Sequence, residues 1–200
     1  MSAGVRELSI PGVLAFTPRV FPDERGVFVS PVQESAFTAA TGAPLFHVAQ
    51  TSYSVSRRGT VRGVHYTAAP PGMAKLVHCP QGRALDIVVD VRAGSPAFGR
   101  WESVVLDRVN AVTLYLPVGV GHMFAAEEDD TIMAYTMSAE YDPDRERAVS
   151  VFDSGLALPV PADPAPILSA RDRRAPPLAQ ALADGLLPDY AACLAAAPAP

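Results

Sequence analysis

The chain has 200 residues, a net charge of −5 and a pI near 5.3. This length suits a single domain with a sizeable core, and the acidic balance without a Lys/Arg run excludes a basic face for nucleic acid. No segment reaches the roughly 18 consecutive apolar residues of a membrane span, and the start lacks a secretory signal pattern, so a cytoplasmic protein is expected.

The N-terminal part predicts two strands and one helix. Residues 7–10 and 26–31 are apolar, strand-like pieces. Residues 34–41 predict a short helix that ends before the Gly42-Ala43-Pro44 break.

Between residues 46 and 160 the sequence indicates many short strands divided by Gly- and Pro-containing turns. Residues 85–91 give the clearest pattern, because apolar Leu85, Ile87, Val89 and Val91 alternate with other residues, as in a strand with one buried face. Further strands are predicted at 75–79, 102–106, 111–116 and 131–137. Strands at this spacing favour an antiparallel sandwich or barrel over a parallel α/β sheet.

The composition becomes rich in Pro and Ala after residue 160. Pro177, an apolar stripe and Gly185 predict a short docking helix within an appendage at 161–188. Residues 189–200 are expected to form a disordered tail, so one domain should span residues 1–188. Cys79 and Cys193 have dissimilar surroundings and are expected to be free thiols.

The four histidines do not have the spacing of a metal-binding barrel. Such a barrel typically has two histidines one residue apart, followed by a carboxylate, and a catalytic metal needs about three well-placed ligands. Here His65 is followed by Tyr66 and Thr67, and the other three histidines stand alone. A metal site is therefore not expected, although distant histidines could still converge in space.

His65 and Lys75 are candidate catalytic residues. A neutral imidazole is well matched to general-base chemistry, but a single histidine is more often structural. Strict alternation would place Arg62 and Val64 on one face and Gly63 and His65 on the other, unless a turn or bulge at Gly63 intervenes. Lys75 is the single lysine of the chain. Either it is present by chance, or its site requires a compact ammonium donor that arginine cannot replace.

Several blocks follow one another along the sequence, at residues 21–26, 54–66, 70–75, 86–99 and 116–122, and then come Tyr135, Tyr141 and Asp153. Together these blocks resemble the dTDP-4-dehydrorhamnose 3,5-epimerase family over about residues 21–188. The motif Pro-Pro-Gly-Met-Ala-Lys is most similar to the branch that serves deoxysugar pathways of natural products.

The resemblance implies a mainly β fold, a cupin-like antiparallel jelly-roll barrel with short peripheral helices. It also implies a cofactor-independent isomerase that inverts C3, C5 or both of a TDP-linked 4-keto-6-deoxyhexose. A homodimer with exchanged N-terminal strands is expected, since the exchange would cover an exposed sheet edge.

The resemblance further assigns four catalytic roles. Inversion beside a ketone needs a base, a donor to the enolate oxygen and an acid on the opposite face. His65 resembles the base, Asp153 the carboxylate that holds its far nitrogen, Lys75 the enolate stabiliser and Tyr135 the acid. Each residue could instead have a non-catalytic role: Asp153 could cap a turn, Tyr135 could be an aromatic that lines the barrel, and Lys75 could be exposed to solvent.

On the Tyr135 strand, Met133 is expected to share the face of Tyr135, while Ile132 and Ala134 point into the core.

Substrate contacts are implied at several further positions. Guanidinium groups suit a diphosphate and aromatic faces suit thymine stacking. The positions implied for substrate binding are Arg25, Phe28, Gln50, Arg62, His122 and Tyr141. Three residues depart from the family pattern, Ser30, Ser52 and Thr67, and they leave open which carbon is inverted.

Two other functions remain open at this point. A 3,4-ketoisomerase would use the same substrate and a similar barrel, but it generally has two nearby histidines, which Tyr66 and Thr67 do not supply. A non-catalytic sugar-nucleotide binder could share the fold, since a barrel does not imply activity.

Overall fold

The computed structural model describes residues 4–196. Within them the chain forms thirteen strands, three α-helices and a 3₁₀ turn at Asp172–Arg174. The strands are β1 Gly4–Glu7, β2 Leu14–Thr17, β3 Val20–Asp23, β4 Gly26–Val29, β5 Gln50–Ser56, β6 Val61–Thr67, β7 Lys75–Gln81, β8 Arg83–Val89, β9 Trp101–Asp107, β10 Thr113–Leu116, β11 Gly121–Ala126, β12 Thr131–Met137 and β13 Glu146–Ala148. The helices are α1 Glu34–Thr41, α2 Leu178–Ala183 and α3 Tyr190–Ala195.

Two antiparallel sheets enclose the main core. The first has the strand order β1-β2-β10-β7-β12-β5, the second has the order β13-β6-β11-β8-β9, and β3 and β4 form a separate hairpin. Val77 and Met133 of the first sheet pack with Val88 and Phe124 of the second in one buried cluster. The predicted mainly β, cupin-like barrel with short helices is therefore confirmed.

A second apolar layer covers the outer face of the five-stranded sheet. Ile87 and Val89 of β8 pack there with Leu178 and Ala181 of α2. Because both faces of β8 are covered, Asp86, Val88 and Asp90 are fully buried. The predicted strand with one buried face was wrong in this respect. The C-terminal appendage covers the apolar face of Ile87 and Val89, and the opposite face, which alternation alone would leave in solvent, is turned to the barrel core through Val88.

The predicted elements mostly fall where expected. The helix at 34–41 is α1, which ends at Gly42 with a left-handed φ of 74°, and the strand at 131–137 is β12. The strand predicted at 7–10 was displaced, since β1 ends at Glu7 and the Leu8 N–H donates to the Val13 carbonyl in the turn before β2.

The C-terminal segment is ordered further than predicted. Residues 190–195 form α3, in which Cys193 is buried and the Arg92 guanidinium lies 4.9 Å from the Tyr190 ring centroid. The Ala93 N–H donates to the Pro188 carbonyl, and the Tyr190 N–H donates to Ala93. The disordered tail was therefore wrong for these residues; its last four positions, 197–200, lie outside the described residues.

Cys79 and Cys193 are both free, as predicted. The helices of residues 4–196 are all too short or too polar to cross a membrane.

Candidate active site

A cavity of about 360 Å³ opens between the two sheets. Strands β5, β7 and β12 contribute one wall, and β6 and β11 contribute the other. Its lining is mostly polar or aromatic and consists of Gln50, Ser52, Arg62, His65, Met73, Lys75, His122, Phe124, Tyr135, Met137, Tyr141 and Glu146.

A bulge in β6 brings Arg62 and His65 to the same cavity. Arg62 pairs with Phe124 and His65 with His122, so β6 contains one more residue than β11 between these pairs. Gly63 permits the close approach, because a Cβ there would lie 2.2 Å from the Met123 Cβ. The simple alternation that separated Arg62 from His65 therefore fails at Gly63.

His65 is paired with Asp172. The His65 Nε2 lies 2.7 Å from the Asp172 Oδ1, and the carboxylate side chain is only 2% exposed. Burial by itself would raise the pKa of Asp172, but the hydrogen bond and charge of His65, with help from Ser169 and Arg171, hold it below its usual range. This carboxylate fixes the orientation of the ring and leaves the other ring nitrogen available.

The assignment of Asp153 as the partner of His65 was wrong. The Asp153 carboxylate accepts hydrogen bonds from the backbone N–H groups of Gly155, at 2.7 Å, and Leu178, at 2.6 Å. It therefore closes a turn and satisfies a free donor at the start of α2, a capping role. The sequence signal for Asp172 was slight, a single acid among the arginines of the Pro- and Ala-rich appendage.

Lys75 begins β7 and lines the cavity. Burial lowers the pKa of its ammonium; the nearby Glu146 carboxylate opposes this effect and Arg171 adds to it. Glu146 is itself bonded by the Thr67 hydroxyl at 2.5 Å. The result is a compact cation held beside the space that a ligand would fill.

Tyr135 enters the cavity from β12. Burial, followed by the charge of Asp86, raises the pKa of its hydroxyl. Met133 shares the face of Tyr135, as predicted, and both belong to the barrel core. The expectation that Ile132 and Ala134 point into the core was wrong, because both are only partly buried. The interior of the barrel lies on the side of Met133 and Tyr135, because Met133 is fully buried in the core and Tyr135 lines the cavity.

His122 and Asp86 form a second pair that sequence reasoning missed. The His122 Nε2 lies 2.7 Å from the Asp86 Oδ2, and the Asp86 side chain is fully buried. The His122 ring is edge-on to Tyr135, with 6.1 Å between centroids. An acid in the middle of the apolar strand 85–91 was the available signal.

Gln50 connects the cavity wall to its mouth. Its amide nitrogen donates to the Ser52 hydroxyl at 2.9 Å, and its amide oxygen accepts the Tyr141 N–H at 2.7 Å. Next to this mouth lies a wider cleft of about 650 Å³, bordered by Arg57, Arg62 and Arg171. The guanidinium groups give this cleft donors for an anionic group.

Arg25 and Phe28 are not brought to the cavity of their own chain. Both belong to the β3–β4 hairpin, where Arg25 pairs with Asp23 at 2.6 Å and Phe28 is 67% exposed. Of the three departures, Ser52 lines the cavity, Thr67 bonds Glu146, and Ser30 borders a separate groove beside β2 and the hairpin.

Over residues 4–196, no group of three or more His, Cys, Asp or Glu side chains is arranged to hold a metal ion. The expectation of a metal-free and cofactor-free reaction stays a prediction.

Comparison with known proteins gives consistent results. Residues 7–180 match the family model described as dTDP-4-dehydrorhamnose 3,5-epimerase. A dTDP-4-dehydrorhamnose 3,5-epimerase of Mycolicibacterium smegmatis is 44% identical over 190 residues, 95% of this chain and 93% of that relative.

Two solved structures are also similar. NovW, a 4-keto-6-deoxy sugar epimerase from the novobiocin gene cluster of Streptomyces spheroides, has a TM-score of 0.92 at 44% identity, with 96% of both chains covered. ChmJ, a 3′-monoepimerase from Streptomyces bikiniensis in complex with dTDP-quinovose, has a TM-score of 0.89 at 44% identity, with 92% of this chain and 93% of ChmJ covered. The chain therefore belongs to the dTDP-4-dehydrorhamnose 3,5-epimerase family.

Proposed function

We propose that the protein inverts C3, C5 or both of a dTDP-linked 4-keto-6-deoxyhexose, as an isomerase of deoxysugar biosynthesis. The observation that carries this proposal is that the His65–Asp172 pair, Lys75 and Tyr135 are assembled at one cavity. These groups supply a base, a cation for the enolate oxygen and an acid, which are the parts that such an inversion requires.

Proton removal falls to His65. Its Nε2 is bonded to Asp172, so the other ring nitrogen takes the proton from the carbon beside the ketone. The buried carboxylate keeps the ring in the required orientation and stabilises the imidazolium that forms.

The enolate oxygen develops negative charge as the carbon–hydrogen bond breaks. Lys75 lines the same cavity, and a positive charge in a partly desolvated site stabilises an oxyanion far more than it would in water. The lowered pKa of the buried ammonium makes it a readier hydrogen-bond donor than an ordinary lysine.

Reprotonation on the opposite face falls to Tyr135. The hydroxyl keeps its proton until the carbanion draws it, because its pKa is raised by burial. Return of the proton to this face inverts the carbon, whereas return from His65 restores the original configuration.

The nucleotide part is assigned to the wider cleft beside the cavity. Arg57, Arg62 and Arg171 border that cleft, and planar guanidinium groups suit a diphosphate. ChmJ, which binds dTDP-quinovose in its solved structure, has the same fold at 44% identity.

We infer a homodimer in which the β3–β4 hairpin reaches the partner's cavity. Phe21, Val27 and Phe28 of this hairpin are 47%, 65% and 67% exposed, an apolar patch that favours burial against another surface. This arrangement would deliver Arg25 and Phe28 to a thymidine diphosphate although they lie outside their own cavity. A cytoplasmic location stays a prediction.

Deuterium exchange tests the proposed reaction. Incubation of the protein with dTDP-4-keto-6-deoxyglucose in heavy water should place deuterium at C3, C5 or both, and the positions identify the carbons that are inverted. The absence of exchange at both carbons would refute the epimerase. Formation of a 3-keto sugar would indicate a ketoisomerase, and binding without any exchange would indicate a non-catalytic binder.

A further inference from the structure

A pair of ionisable groups lies next to Tyr135 and is separate from the base, cation and acid of the proposed reaction. Asp86 is fully buried in the barrel interior, and its Oδ2 holds the His122 Nε2 at 2.7 Å. The His122 ring stands edge-on to Tyr135 at 6.1 Å and also lines the cavity. The other carboxylate oxygen, Oδ1, is buried without a hydrogen-bond partner among residues 4–196.

Proton donation by Tyr135 creates a problem inside this barrel. Burial and the neighbouring Asp86 charge both disfavour the phenolate, which is why the pKa of the hydroxyl is raised. A sugar in the 360 Å³ cavity would separate the tyrosine from solvent at the moment of transfer. The tyrosine therefore needs a second proton from a neighbouring group.

We propose that the His122–Asp86 pair supplies a proton to the Tyr135 oxygen as the Tyr135 hydroxyl protonates the substrate carbon. The proposal rests on the epimerase function above. Tyr135 then accepts one proton as it donates another, so that no phenolate forms beside the buried Asp86 carboxylate.

The protons and charges balance over one turnover. The Tyr135 O–H bond breaks as the carbon–hydrogen bond forms, and a proton from the His122 imidazolium restores the hydroxyl. His122 is left neutral and bonded through Nε2 to the Asp86 carboxylate. Once the product has left the cavity, His122 regains a proton from water and the His65 imidazolium releases to water the proton it took from the substrate.

The surroundings of Tyr135 leave few other donors. The charged groups that act on the hydroxyl are Asp86 and Arg62, with the Cys79 thiol as a further titratable neighbour. Arginine does not release a proton in proteins. Burial raises the pKa of the Cys79 thiol to about 11, so it is a poor acid. His122 is the ionisable neighbour that both stands edge-on to the Tyr135 ring and lines the cavity.

The test compares exchange with inversion in heavy water. When the enolate forms, His65 can return deuterium to the original face, whereas the Tyr135 route inverts the carbon. The measured quantity is the amount of deuterium-labelled substrate divided by the amount of inverted product. This ratio rises when Tyr135 no longer protonates the substrate carbon efficiently. Asp86→Asn and His122→Asn should raise this ratio by roughly tenfold or more, since a positioned general acid contributes factors of about 10² to 10⁴.

Tyr135→Phe gives the upper reference for the ratio, and Thr113→Val gives the matched control. Like the Asp86 Oδ1, the Thr113 hydroxyl is buried without a hydrogen-bond partner among residues 4–196, but Thr113 does not line the cavity. The ratio measured for Thr113→Val should therefore equal that of the unaltered protein. Retained exchange in the Asp86 and His122 variants would itself show that the His65 and Lys75 side of the site is folded.

Three outcomes would overturn the relay. If exchange and inversion fall together, the pair stabilises the enolate or the fold and does not recharge Tyr135. If neither changes, the pair has no role in the reaction. If Thr113→Val raises the ratio equally, the effect is a general loosening of the barrel. Absence of exchange in the unaltered protein would instead refute the epimerase function.

Discussion

The carboxylate that orients His65 comes from a residue 107 positions further along the chain. Asp172 is placed by the 3₁₀ turn at Asp172–Arg174, whose first N–H is held by the Ser169 hydroxyl at 3.0 Å. Asp153 lies in a turn against α2, and its carboxylate accepts hydrogen bonds from the backbone N–H groups of Gly155 and Leu178. Two acids of the same type thus have separate roles, and contact with the histidine is what distinguishes them.

Paired substitutions of these two acids test their roles. Asp172→Asn should lower kcat by about 10²-fold to 10⁴-fold, because an amide favours the wrong tautomer of the base. Asp153→Asn should leave kcat within about twofold, whereas Asp153→Ala should cost about 0.5–2 kcal/mol of unfolding free energy through the lost cap. Steady-state kinetics and urea unfolding measure both effects. Equal losses of kcat in the two Asn variants would contradict the assignment.

The alkaline limit of activity should report on Lys75. Burial lowers the pKa of this ammonium, so the charged form required for catalysis is lost as pH rises through a value below the ordinary lysine range. The alkaline limb of kcat/KM should therefore lie lower in pH than that of an exposed lysine.

Two variants separate the contributions to this limb. Glu146→Gln removes the carboxylate that raises the pKa of Lys75, so the alkaline limb should move to lower pH. Lys75→Arg should remove the limb at a reduced maximal rate, because guanidinium stays charged to above pH ~12. A limb that is unchanged in both variants would assign the titration to another group.

At the scale of elements, the bulge in β6 decides which side chains share the cavity. The extra residue lies between Arg62 and His65, which pair with Phe124 and His122 of β11. Gly63 has a φ of +139°, and a Cβ there would meet the Met123 Cβ at 2.2 Å and the His122 carbonyl at 2.7 Å. Any side chain at this position would push β6 and β11 apart.

Gly63→Ala should consequently have a larger effect on catalytic activity than on the stability of the fold. We expect kcat to fall by at least about 10²-fold, since a displacement of about 1 Å in catalytic groups has that effect. Gly4→Ala is the control, because its Cβ would meet nothing within 4 Å. Activity and thermal unfolding of both variants test the expectation, and an active Gly63→Ala variant would show that the bulge does not position the site.

Elements with a strong local pattern were predictable, and those defined by distant contacts were not. The strand predicted at 131–137 between turn residues and the helix predicted to end before Gly42 correctly located β12 and α1. Helix α3 was missed because its stability comes from Cys193 buried against the barrel and from Arg92 lying over the Tyr190 ring. An alanine-rich sequence gives no local sign of such docking.

At the scale of the whole molecule, the β3–β4 hairpin does not contribute to its own cavity. Its apolar side chains are exposed, and Arg25 bonds only Asp23 among residues 4–196. In the proposed dimer each hairpin completes the partner's site, so neither subunit has a full site alone.

Complementation between defective subunits tests this exchange. His65→Ala subunits have intact hairpins, and subunits with Arg25→Ala and Phe28→Ala have intact barrels. Co-expressed in equal amounts, they should recover about a quarter of wild-type activity, because half the dimers are mixed and each has one complete site. Each variant alone should be nearly inactive. No recovery in dimers that sedimentation shows to be mixed would place the hairpin at its own subunit's site.

The sequence by itself determined the mainly β barrel, the family and the positions of His65, Lys75 and Tyr135, because strand periodicity and ordered motifs are local properties of the chain. The tertiary structure decided that Asp172 pairs with His65, that Asp86 pairs with His122 and that β8 is buried on both faces. Each of these depends on segments remote in the chain that meet only when the sheets close and the C-terminal appendage folds back, which no local pattern encodes.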